Sequence, residues 1–376
     1  MDSKRYNNIK LSVGIIESIL TFILIYIFIA SGLSQALEKY LSEFISNNYF
    51  LFVCFAAITG IVMGIIFLPF SYYSGFYLEH KYNLSNQTFL KWMWENAKGL
   101  LVSAIIGLPV LLFFFYVINR YEELWWLPLA FGLFFFSVIL ARLVPIIILP
   151  IFYKVTPLEN ENLKSKIEKL ANQAGIMVKN IYSFNMSKNT KKANAAFTGL
   201  GKTKRILLGD TLLNSYTEDE VETVIAHELG HYKKKHIVKN LFIGTFTSFF
   251  TLYVIATLYN WSLAWFGFAR INQIAALPIL ALWGMIIGML LTPLTNIISR
   301  KFEYEADEYA IVSTNKVSSF VSVLEKLTEQ NLGDKNPHPF VEWFFYSHPS
   351  INKRIAAINK FVKVNGIAYI IMNSEV

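Results

Sequence analysis

The sequence predicts a mainly α-helical, multi-pass membrane protein with a polar portion that holds a small β-sheet. Three observations lead there. Hydrophobic residues make up 54% of the 376 residues and charged residues only 16%, whereas a soluble domain carries about 25% charged. Six apolar stretches come near or exceed the roughly 20 residues a helix needs to cross a hydrocarbon core. Two polar regions interrupt them, patterned for helices, with short β-like runs in the first.

The candidate spans are Leu11–Ala30, Tyr49–Phe70, Gly99–Ile118, Leu124–Ile151, Ile237–Tyr259 and Ile274–Ile298. The fourth carries Pro128, Pro145 and Pro150, and proline removes a helix donor and clashes with the preceding turn, so a kink or early exit is expected. Ser31–Asn48 is too short and too polar to span. Lys and Arg collect in alternate loops, and such loops face the cytoplasm. With six spans, both termini and the polar region 154–236 then lie on the cytoplasmic side. The chain divides into four spans at 1–152, an α+β region at 153–236, two spans at 237–298, and a helical region at 299–376. In the second part Leu158–Ala174 reads as an amphipathic helix ended by Gly175. β-like runs follow near Ile181–Phe184, Ala195–Thr198 and Arg205–Leu208, with Gly199 and Gly201 at the last turn. Thr217 with Glu220 forms a capping box, opening a helix that can run on into the fifth span.

The formal net charge of +8 suits anionic lipid headgroups. The basic residues flank apolar segments and form no recognisable nucleic-acid module, so nucleic acid is not an expected partner. The single cysteine, Cys54, permits no intramolecular disulfide and no cysteine-based metal site.

Function is legible in His227-Glu-Leu-Gly-His231, an H-E-x-x-H pattern on a predicted helix. Residues four apart sit about 40° apart around a helix, so both imidazoles leave one face and can hold one Zn²⁺. Glu228 is about 100° further round, beside the metal, where a base for an activated water belongs. A catalytic zinc needs a third protein ligand. His236 is about half a turn out of phase if the helix continues, and is read as a polar residue at the membrane interface. Glu303 is the better candidate, in Ser299-Arg-Lys-Phe-Glu-Tyr-Glu-Ala-Asp307, read as an acidic helix that starts where the sixth span ends. Asp307 shares its face and can orient a ligand histidine. Glu305 and Glu308 are read as solvated acids.

H-E-L-G-H, then S-R-x-x-E-Y-E-A-D, then Ser347-His-Pro-Ser350, together with the loop Leu78–Thr88, resembles the integral-membrane type I CAAX prenyl proteases over nearly the whole chain. These are zinc peptidases of the gluzincin kind. The resemblance implies a ring of helices around a large water-filled chamber, with a cytoplasmic zinc protease domain at one end. It implies His227, His231 and Glu303 as zinc ligands and Glu228 as catalytic base. It assigns Asp307 a supporting or proton-donating role, and His348 and Arg354 the oxyanion. Asn194, Ala195 and Ala196 would belong to the edge strand along which the substrate backbone lies. The implied partners are membrane lipid and a peptide or protein with a lipidated or hydrophobic C-terminus. Two alternatives stay open at this level: a membrane quality-control protease similar to the bacterial heat-shock kind, and a non-catalytic membrane chamber with structural zinc.

Overall fold

A computed structural model describes residues 2–176, 181–198 and 205–367. The membrane half opens with α1 (Asp2–Ala30), a 10-residue α2 (Leu33–Ser42) and α3 (Asn48–Tyr72). A π-helical turn then leads into α4 (Leu78–Lys81), followed by α5 (Phe89–Tyr121), α6 (Trp126–Leu143) and α7 (Leu149–Phe152). The polar portion holds β1 (Val155–Pro157), α8 (Glu161–Gln173), β2 (Ile181–Phe184), β3 (Ala195–Thr198), β4 (Arg205–Gly209), α9 (Asp210–Ser215) and α10 (Glu218–Lys233). The chain returns to the membrane in α11 (His236–Ser262) and α12 (Pro278–Thr314), and ends in α13 (Val317–Gln330), α14 (Pro339–Phe345) and α15 (Ile351–Val364).

Among the described residues, six helices are long and apolar enough to cross a membrane, one for each predicted span. The fourth deforms where its prolines predict: α6 ends at Leu143 and a π-helical turn holding Pro145 separates it from α7. The N-terminus of α1 docks on the polar side of the molecule. Tyr6 donates to Glu79 at 2.5 Å, and Lys192 reaches the same hydroxyl at 3.0 Å.

The sheet has the order β1-β2-β4-β3, with β2 and β4 parallel and the other pairs antiparallel. β2 and β3 begin and end where the sequence places them. β1 was not anticipated, because three residues closing on a proline carry no alternation; it lies at an edge, where proline costs no ladder bond. Gly199 and Gly201 lie outside the described residues. Helix α8 starts at Glu161 because the Asn160 side chain accepts from the Leu163 N–H at 3.0 Å, and Gly175 follows its end at φ +78°. Leu163, Ile167 and Leu170 pack with Val221, Ile225 and Leu229 of α10 and with Phe320 and Val323 of α13 into the core beneath the metal-motif helix.

Two helix boundaries differ from the sequence reading. α10 does not run into the fifth span: it stops at Lys233, and Lys235 turns left-handed at φ +59° before α11 begins. Conversely, the acidic motif does not start a new helix after the sixth span. α12 is one helix of 37 residues that leaves the membrane still wound and carries Glu303 and Asp307.

Candidate active site

The capping box sets where α10 begins, and so the phase of everything on it. The Thr217 N–H donates to Glu220 Oε2 at 2.9 Å, and the Glu220 N–H donates to Thr217 Oγ1 at 3.3 Å. Ten to fourteen residues after Thr217, His227, Glu228 and His231 emerge from α10. Gly230 lets α12 approach: a Cβ at that position would lie 3.1 Å from Ala306 Cα and 3.1 Å from Tyr309 Cβ. A side chain there would be tighter than ordinary contact, and the close crossing brings Glu303 of α12 to both imidazoles.

One ligand atom from each of His227, His231 and Glu303 lies within 4.8 Å of the others. His227 Nε2 is 3.2 Å from His231 Nε2. The Glu303 carboxylate oxygens stand 3.4 Å from each ring. The outer ring nitrogens are taken. His227 Nδ1 meets Asp307 Oδ1 at 2.8 Å. His231 Nδ1 meets His236 Nδ1 at 3.0 Å, and His236 Nε2 meets Glu305 Oε2 at 2.9 Å. With Nδ1–H donating outward on each ligand ring, both Nε2 lone pairs point inward beside a carboxylate. Three acceptors with no donor between them call for a cation, and two imidazoles with one carboxylate are a donor set for a divalent metal. Burial alone would lower the His227 pKa, but Asp307 and Glu303 raise it to about 9, so this pocket favours positive charge at the ring.

Around the triad, Arg354 of α15 holds Asp307 through two hydrogen bonds, Nε to Oδ2 at 2.9 Å and Nη2 to Oδ1 at 2.5 Å. Its Nη1 lies 3.8 Å from Glu303 Oε2. His348 stands at the exposed rim, with Nε2 3.4 Å from Glu303 Oε1. Its segment is held from below, since Glu342 of α14 accepts from the Ser350 N–H at 3.0 Å and pairs with Lys353 at 2.8 Å. Glu228 faces β3, where the Phe197 N–H donates to its Oε2 at 3.5 Å.

β3 is an edge strand along this face. Asn194 accepts from the Gly209 N–H at 2.9 Å, so Asn194 and, by alternation, Ala196 turn their backbone groups toward β4. Ala195 and Phe197 turn theirs to the open edge. Of the three strand residues marked in the sequence, only Ala195 therefore presents its backbone outward, and Phe197 joins it.

The structure thus brings together His227, Glu228, His231, Glu303, Asp307, His348, Arg354 and the strand Asn194–Ala196. Sequence reasoning missed His236 and Glu305. His236 is not placed as a ligand, but neither is it an interfacial residue: it is 1% exposed and stacked on Phe302 at 4.1 Å. The half-turn argument fails because the left-handed turn at Lys235 folds His236 back against His231. Glu305, read as a solvated acid, is the partner of His236. The pattern H-x4-H after the motif was the available signal.

Residues 157–362 match the model of peptidase family M48. The chain belongs to this family. Residues 1–154 match the CAAX prenyl protease N-terminal family, described as five membrane helices. Here that part holds four span-length helices and the short α2. Among relatives, a Bacillus subtilis metalloprotease, YhfN, is 32% identical over 366 residues, covering 95% of this chain and 85% of its own. The CAAX prenyl protease 1 of Saccharomyces cerevisiae is 34% identical over 331 residues, covering 82% and 72%. The crystal structure of S. mikatae Ste24p superposes with a TM-score of 0.85 at 28% identity, over 95% of this chain and 88% of that one. The M48 peptidase described here is accordingly an integral-membrane metalloendopeptidase, with a helical membrane chamber joined to a protease domain, and its substrates are peptides or proteins.

Proposed function

We propose that this peptidase holds one zinc ion at His227, His231 and Glu303 and cleaves proteins with a lipidated, hydrophobic C-terminus at the cytoplasmic face of a membrane. The convergence of three inward-facing acceptors next to Glu228 and the open edge of β3 carries this reading. Zinc supplies Lewis acidity at such a site, polarising the scissile carbonyl and lowering the pKa of water. The chain's residues do the rest. An extended substrate adds to β3 through the outward backbone groups of Ala195 and Phe197, which fixes the scissile bond over the triad. The Glu228 carboxylate takes the proton of the attacking water and passes it to the leaving amine. Asp307 holds His227 in the tautomer that leaves Nε2 free, and Arg354 locks Asp307. His348, at the rim, and Nη1 of Arg354 donate to the oxygen on which charge develops.

In this reading residues 1–152 and 237–298 build the chamber, while 153–236 and 299–376 supply the hydrolytic machinery. The positively charged loops support an orientation with that machinery and both termini in the cytoplasm. The names of the yeast, plant and animal relatives supply the prenylated substrate class, and nucleic acid has no place in it. Glu228→Gln tests the core of the proposal. It should keep its zinc, measured by metal analysis, yet lose about 10²–10⁴-fold in cleavage of a farnesylated peptide followed by mass spectrometry with and without chelator. Full cleavage by the variant refutes the assignment of the base.

A further inference from the structure

We infer that the Asn331 carboxamide ends the free edge of β3, so that an extended substrate pairs with Ala195 and Phe197 and has to leave the sheet beyond Ala195. The inference deepens the proposed function and rests on the reading that substrate adds to β3.

Backbone groups along an extended chain alternate between its two sides. The Lys192 carbonyl accepts from Thr211 Oγ1 at 2.8 Å and the Asn194 carbonyl from the Gly209 N–H at 2.9 Å, both on the side of β4. Ala193, Ala195 and Phe197 therefore turn their groups the other way. Ahead of β3 that side is covered by the end of α13. Gln330 Nε2 donates to the Lys191 carbonyl at 2.6 Å. At Ala193 both groups are taken: its N–H donates to Asn331 Oδ1 at 3.0 Å, and Asn331 Nδ2 donates to its carbonyl at 3.2 Å. One acceptor and one donor set against a single residue are what a paired strand residue would offer. Asn331 fills that place with a side chain. Two residues on, neither backbone group of Ala195 has a partner among the described residues, and the Phe197 N–H faces Glu228. The open edge thus begins at Ala195 and runs toward the catalytic base.

The end of α13 is held in this place against strain. Leu332 adopts φ +52°, the left-handed conformation that glycine commonly supplies after a helix and that a bulky side chain resists. The Leu332 N–H donates to the Glu329 carbonyl at 3.1 Å and the Gly333 N–H to the Thr328 carbonyl at 2.7 Å, which closes the helix. The Leu332 carbonyl accepts from Asn7 Nδ2 of α1 at 2.6 Å, and its side chain packs on Tyr6, Leu78 and Leu84. Strained backbone persists where its surroundings over-determine it, and these contacts fix the residue next to Asn331. The consequence is a short recognition segment. Substrate is read as extended backbone over the three residues that face Ala195 to Phe197. Past the residue facing Ala195 the edge offers no further groups, so a turn or a proline is admissible there.

The test takes the full-length holoenzyme and a set of farnesylated peptides of one sequence. Each carries a single ester oxygen in place of a backbone N–H, away from the cleaved bond. Losing a donor that pairs with β3 should lower kcat/KM by about 2–10-fold. In the unaltered protein two donors, two residues apart, should respond, one for the Ala195 carbonyl and one for that of Phe197. In Asn331→Gly the Ala193 carbonyl becomes available, and a third donor two residues further on should respond as well. Asn331→Asp keeps the shape and the acceptor and should keep the two-donor pattern. A third responsive donor in the unaltered protein overturns the stop whatever the variants do, and so does an unchanged pattern in Asn331→Gly. Response at no donor, or without the two-residue spacing, refutes strand addition to β3 itself and the stop along with it.

Discussion

Each ligand histidine has its outer ring nitrogen claimed by a different neighbour, and the two neighbours differ in how visible they are in sequence. Asp307 lies four residues beyond Glu303 on one helix face, so its contact with His227 follows from helix geometry. His236 reaches His231 only because Lys235 adopts a left-handed conformation, which costs a non-glycine residue energy and cannot be read from spacing. The chain His231–His236–Glu305 fixes which ring nitrogen of His231 carries the proton. His236→Phe preserves the stack on Phe302 but abolishes both hydrogen bonds, and should weaken metal retention by about 10–100-fold. Competition with a chelator measures this, and Glu305→Ala should then add little in the His236→Phe background. Unaltered metal affinity in His236→Phe would rule the chain out as a positioning device.

At the scale of elements, the site depends on how closely α10 and α12 cross. A methyl group at residue 230 meets backbone and Cβ atoms at 3.1 Å, and none of these can swing aside like the end of a long side chain. Gly230→Val should push the helices apart, destabilise the protein by about 1–3 kcal/mol, and reduce metal occupancy together with activity. Normal occupancy and an unchanged unfolding midpoint in this variant would show that the crossing has slack. The same helix is tied at its start: Glu220 closes the capping box, pairs with Lys326 at 2.6 Å and accepts from Ser322 at 2.7 Å. Burial would raise the Glu220 pKa, but these partners together lower it. A carboxylate lowered on folding contributes stability above its unfolded value of about 4.3, and that contribution is lost as pH falls through the folded value. Thermal unfolding midpoints should therefore drop on acidification below about pH 4.3. Glu220→Gln should start from a lower midpoint at neutral pH and show a flatter acid limb. An acid limb as steep as that of the unaltered protein would assign the loss to other groups.

Over the whole molecule, α12 joins the two halves. At 37 residues it is about 55 Å long, enough to cross the bilayer and still deliver Glu303 and Asp307 beneath α10. A continuous helix transmits the position of the membrane ring to the metal site without a flexible joint. Its two prolines, Pro278 at the first turn and Pro293 inside, leave it unbroken. The N-terminal helix adds a second tie, through Tyr6 and Lys10 to Glu79 and from there to Lys192, two residues ahead of Asn194. Removing the metal with chelator should abolish cleavage while leaving the six membrane helices folded, as read by far-ultraviolet circular dichroism.

Composition and local pattern by themselves determined the membrane spans, the strand positions β2 and β3, the capping box, and the H-E-x-x-H and E-x3-D faces, because each depends on neighbours within a few residues. The tertiary structure alone decided what depends on atoms far apart in sequence. It decided that α10 breaks before the membrane while α12 does not. It turned Ala195 and Phe197, rather than Asn194 and Ala196, to the free edge of the sheet. It placed His236 and Glu305 behind His231. Periodicity assigns residues to a face of one element. Which face meets which depends on close approaches such as the one Gly230 permits, and those exist only once the chain is packed.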